Sequence, residues 1–72
     1  MDIPPAKTPL ELLDLYYHDM RSHLLEVAAA FDRIERAGAC DDPRLQALRQ
    51  AACIAVDDQP GRAVRFLELL SE

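Results

Sequence analysis

Between residues 16 and 23 the chain reads Tyr16-Tyr17-His18-Asp19-Met20-Arg21-Ser22-His23, the densest run of reactive side chains in its 72 residues. His18 beside Asp19 is suited to accepting a phosphoryl group, because a neighbouring carboxylate can orient an imidazole and stabilise its charge. Asp19, His23 and Glu26, at i, i+4 and i+7, would line one face of a helix and present two carboxylates and an imidazole to a cation. Bundle metal sites need more: a Glu-x-x-His pair from each of two helices plus further carboxylates. Here the order is reversed, His23-x-x-Glu26, and nothing matches it further along. His18 and His23 lie about 140° apart around a helix and cannot share one ion. No metal and no cofactor is therefore expected.

The remaining nucleophiles are two cysteines. A reactive cysteine wants a positive environment, whereas Cys40 is followed by Asp41 and Asp42. Cys53, between Ala52 and Ile54, reads as a small buried hydrophobe. The chain has no Gly-rich phosphate loop and no nucleophile elbow, so no catalytic residue is assigned and a non-enzymatic protein is expected.

The elements that must position these residues are helical. Leu10, Leu13, Tyr17, Met20, Leu24, Val27, Phe31 and Ile34 recur at alternating spacings of three and four, a coiled-coil-like apolar seam through four heptads. Thr8, Pro9 and Glu11 form a capping box with a first-turn proline, and Gly38 supplies a stop, predicting a helix over about 9–37. Asp42-Pro43 repeats the start signal for a second helix over about 43–56, with Leu45, Leu48, Ala52, Ala55 and Val56 as its face and Ala51 and Ile54 widening it. After the turn at 57–61, where Asp58 or Gln59 can cap, a third helix is expected over about 60–70, in which Val64, Leu67 and Leu70, flanked by Ala63, Phe66 and Leu69, make it apolar over more than half its circumference. Pro4 and Pro5 make residues 1–7 an extended lead-in. The fold class is thus all-α: one domain spanning 1–72, with one long helix and a shorter helical hairpin in a three-helix protomer.

A chain this short buries only about 60% of its unfolded surface and usually needs outside support. The hairpin is too short to cover the long helix, and its first half adds Leu12, Leu15 and Tyr16 to the seam. A second copy is the simplest cover, giving a homodimeric helical bundle. The expected interface is Leu10, Leu13, Tyr16, Tyr17, Met20, Arg21, His23 and Leu24, with Tyr16, Arg21 and His23 as polar links at its edge. Ala28, Ala29 and Ala30 would let the hairpin approach the other half of the helix. Asp32 and Arg36, at i, i+4, read as a helix-stabilising pair, with Asp32 or Arg33 also able to bridge to Arg44 or to the last acids of the chain.

His18-Asp19-Met20-Arg21-Ser22, set among Leu12, Leu13, Tyr16, Leu24 and Val27, resembles the H-box of the dimerisation and phosphoacceptor domain of sensor histidine kinases. The resemblance implies a homodimeric four-helix bundle in which His18 accepts the phosphoryl group, Asp19 assists as base and Ser22 positions water. It spans residues 12–27, and the chain departs from that pattern twice. His23 stands where the family usually has proline, and Pro60-Gly61 interrupts what would be a long second helix. The residues themselves point first to a homodimeric protein–protein interaction or scaffold module. A phosphotransfer or response-regulator-binding module using His18 is the alternative, and a metal-binding helical bundle ranks behind it.

A net charge of -5, with eight basic residues scattered among thirteen acidic ones, disfavours nucleic acid as a partner. No stretch approaches the roughly 20 apolar residues that would span a bilayer. Asp2, Pro4 and Pro5 are foreign to a secretory leader, and Cys40 and Cys53 read as unpaired thiols. A cytoplasmic protein without membrane attachment is expected.

Overall fold

The structure, a computed structural model, describes residues 7–71, and these are all-α: α1 spans Pro9–Ala37, α2 Pro43–Val56 and α3 Arg62–Leu70. Residues 1–6 of the expected lead-in lie outside the described residues, and Lys7 is non-helical. The chain divides into two units, Met1–Gly38 and Ala39–Glu72.

The first unit is α1, 29 residues without an interior proline or glycine. Its start is the reciprocal box that the sequence spells. The Glu11 N–H donates to Thr8 Oγ1 at 3.1 Å, and the Thr8 N–H donates to Glu11 Oε1 at 2.8 Å. Two of the backbone donors that a helix start leaves open are thereby satisfied. The same bonds hold the Glu11 carboxyl below its ordinary range. At the other end Gly38, with φ 134°, leaves the helical conformation and returns its N–H to the Glu35 carbonyl at 3.2 Å. No residue of α1 is buried; Ala29 and Phe31 are half-buried and the rest exposed.

In the second unit α2 packs against α3. Asp42 caps α2, accepting from the Arg44 N–H at 2.8 Å, and grips the Arg44 guanidinium through Nε and Nη2 at 3.0 Å each. Arg44 is thus occupied by its own helix cap. The Asp32–Arg36 ion pair does not form among the described residues.

Ala51, 1% exposed, is the one buried hydrophobic residue among those described, with Leu45, Ala47, Ala52 and Ile54 half-buried on the same helix. Three of these five are alanine, and small side chains allow close helix approach. Within the broad apolar arc of α3 burial is uneven. Phe66 and Leu69 are half-buried, while Val64 and Leu67 are 61% and 64% exposed. An apolar arc covering over half of a nine-residue helix leaves its rotation open, and Arg65 settles it.

Arg65 donates Nη1 and Nη2 to the two Asp57 carboxylate oxygens, both at 2.8 Å, and further bonds to the Gln59 carbonyl at 2.9 Å and the Pro60 carbonyl at 3.1 Å. Asp57 also accepts from the Gln59 N–H at 3.1 Å, and its carbonyl accepts from Arg62 Nε. A planar guanidinium matched to a carboxylate fixes direction as well as distance, so this brace points Arg65 back at the turn and carries Phe66 and Leu69 inward. Neither Asp58 nor Gln59 caps α3. Its N-cap is Gly61 at φ 72° and ψ 30°, without a side-chain cap, and α3 begins at Arg62 instead of 60 because a left-handed residue cannot join a right-handed helix.

The Arg65 bond holds Asp57 at a pKa of about 2, below its ordinary 3.8. A depressed carboxyl stabilises the fold above its unfolded pKa and loses that contribution as pH falls through the folded value. The thermal midpoint by circular dichroism should therefore drop between about pH 4 and pH 2. Asp57→Asn should start from a lower midpoint at pH 7 and fall less steeply over that window; equal slopes would remove Asp57 from the account. Ala51→Leu, which adds three carbons at the buried position, should cost about 1–3 kcal/mol in denaturant unfolding.

Candidate functional site

The residues singled out for chemistry all stand on α1, and the helix sorts them by angle. At 100° per residue Tyr17 and Met20 fall on the seam, Tyr16, Arg21 and His23 on its two flanks, and His18, Asp19 and Ser22 on the outward arc. All of them are exposed. The seam beside them is exposed too: Leu10 is 66% accessible, Met20 54% and Leu24 56%. Towards the C-terminal end the exposure falls, to 38% at Ile34.

Among the described residues His18 makes one ring contact. Its ring meets Tyr17 edge to face, centroids 5.5 Å apart and planes at 76°. Such a contact orients the imidazole through ring electrostatics, without a hydrogen bond. No bond joins His18 to Asp19 among the described residues, so the aromatic neighbour takes the orienting part that the carboxylate was expected to play. Ser22, one turn on, shares the outward arc with His18. Among the described residues no three His, Cys, Asp or Glu side chains gather to hold a metal ion, and Asp19, His23 and Glu26 remain strung along a single helix.

The second unit carries an open depression of about 500 Å³ lined by Pro43, Arg44, Ala47, Leu48, Leu69 and Leu70. Its walls are almost wholly hydrocarbon, and the one cation on its rim is held by Asp42. Residue spacing does not reveal it, because it depends on how α3 is rotated against α2, a matter of tertiary packing.

Cys53 is a correction. It is exposed, as is Cys40, and both are free thiols. Cys53 lies two residues from Ala51, about 200° around α2, and so faces away from the packed side.

No described helix is long and apolar enough to cross a membrane. Comparison with protein families, with curated proteins and with solved structures finds no match.

Both thiols should react in the folded protein with a water-soluble maleimide. Mass spectrometry at neutral pH should find two labels added at similar rates; labelling of Cys53 only after denaturation would return it to the interior.

Proposed function

We propose that this chain is a small non-enzymatic helical protein of the cytoplasm that works as a homodimeric interaction or scaffold module, needing no cofactor. The observation that carries this reading is the contrast between Ala51, alone in being buried among the described hydrophobic residues, and the exposed seam from Leu10 to Leu24. Burial is the main favourable term in folding, worth about 25 cal/mol per Å² of apolar surface. A protein that covers so little of its own surface gains most by covering it with another copy, which presents the same stripe. Tyr16, Tyr17, Arg21 and His23 suit such a contact, since aromatic side chains and arginine are enriched where proteins meet. Two exposed free thiols accord with a reducing compartment, and the acidic balance offers nothing to nucleic acid.

A second reading rests on His18. It is exposed on the arc opposite the seam, with Ser22 one turn along, so dimerisation would leave it open to a phosphodonor or to a response regulator.

Sedimentation at micromolar concentration should show a dimer, and Met20→Lys, which sets an unpaired charge in the apolar contact, should convert it to monomer while α1 stays helical. A wild-type monomer throughout the micromolar range would overturn the first reading. For the second, incubation with acetyl phosphate or a phosphorylated response regulator should place an acid-labile phosphoryl group on His18; an unlabelled His18 would overturn it.

A further inference from the structure

Placed in heptad register, the seam has Leu10, Tyr17, Leu24 and Phe31 at the a positions and Leu13, Met20, Val27 and Ile34 at the d positions. The flanking e positions are then Asp14, Arg21, Ala28 and Glu35, and the g positions Tyr16, His23, Ala30 and Ala37. Asp14 and Arg21 are exposed, and neither makes an ion pair among the described residues. They stand two turns, about 10 Å, apart on one helix and do not meet within it.

We propose that two copies of α1 pair antiparallel about a two-fold axis between His18 and Asp19, with Asp14 of each copy against the partner's Arg21. The inference rests on the homodimer and adds its direction and register. In this arrangement Leu10 lies opposite the partner's Val27, Leu13 opposite the partner's Leu24, and Tyr17 opposite the partner's Met20. Every seam residue from 10 to 27 has an apolar counterpart. On one flank the e positions meet, and Asp14 pairs with the partner's Arg21 twice, once on each side of the axis. On the other flank the g positions meet, and Tyr16 faces the partner's His23.

The alternatives are worse in charge or in coverage. Sliding the antiparallel pair by one heptad sets Arg21 against the partner's Arg21 in one direction, and Asp14 against the partner's Asp14 in the other. A slide by three heptads joins Arg21 to the partner's Glu35 but leaves Leu10, Leu13 and Tyr17 in water, among the more exposed residues of the seam. Parallel pairing in register brings g against e, so Asp14 faces the partner's Pro9 and Arg21 the partner's Tyr16, with no opposite charges joined. Flanking charges choose partner and orientation more than they add affinity, so a pattern that joins Asp14 to Arg21 twice in one arrangement selects that arrangement.

The test uses the full chain with Cys40→Ser and Cys53→Ser as background. Under mild oxidation Leu10→Cys alone and Val27→Cys alone should stay uncrosslinked, while an equimolar mixture should give a disulfide-linked dimer. Crosslinking of Leu10→Cys alone would show parallel pairing, and crosslinking of Leu24→Cys with Ile34→Cys would show the three-heptad slide; either overturns the proposal. Charge reversal adds an independent readout. Asp14→Arg and Arg21→Asp should each weaken self-association by roughly tenfold. The two variants mixed should recover it, and so should the double variant on its own. Weakening without recovery would remove the Asp14–Arg21 contact. A background protein that sediments as a monomer would sink the homodimer itself, an outcome separate from a dimer with the wrong crosslinks.

Discussion

The seam of α1 sets the terms for the whole chain. Eight apolar side chains at heptad spacing on a single helix must leave water, yet within the chain itself only Phe31 among them is even half-buried. The second unit contributes little burial of its own, since its packed face is built of alanines around Ala51. Small domains without disulfide or metal commonly draw stability from contact with another chain, and the proposed homodimer would supply it. The reactive run from Tyr16 to His23 takes its meaning from the same constraint. In the proposed homodimer Tyr17 and Met20 would belong to the covered surface, Tyr16, Arg21 and His23 to its edge, and His18 and Ser22 to the side left open.

In the second unit the organising contact is electrostatic. Asp57 ends α2 and Arg65 sits in the first turn of α3, and their two-pronged bond spans a turn that contains both Pro60 and a left-handed Gly61. Arg65 also satisfies the carbonyls of Gln59 and Pro60, so one guanidinium serves both the charge of Asp57 and the open backbone of the turn. That arrangement braces the turn, while the N–H donors at the start of α3 have no side-chain cap.

How far the sequence reveals this differs from element to element for a physical reason. Thr8-Pro9-x-Glu11 and Asp42-Pro43 are local signals, decided by bonds between residues two or three apart, and both helices begin where those signals stand. The start of α3 was read two residues early, because Pro60 is a good first helical residue and nothing local announces that Gly61 will take φ 72°. The rotations of α2 and α3 are tertiary matters. Cys53 sits in an Ala-Cys-Ile run that suggests burial, but its angle around α2 puts it outside. The apolar residues of α3 cover more than half its circumference, so spacing alone does not tell that Phe66 and Leu69 are half-buried while Val64 and Leu67 are exposed. At the candidate site the positions of His18, Asp19 and Ser22 followed from helical geometry, whereas the edge-to-face contact with Tyr17 depends on side-chain conformers that spacing does not encode.

The length of α1 has a geometric consequence. A heptad falls short of two full turns of a straight α-helix by about 20°, so each a position sits slightly behind the last. From Leu10 through Tyr17 and Leu24 to Phe31 that lag accumulates to about 60°. The two ends of the stripe therefore look in different directions, and no single straight neighbour can meet both squarely. A neighbour must coil around α1 with a left-handed sense to follow the stripe, or the stripe must be shared between two neighbours along its length.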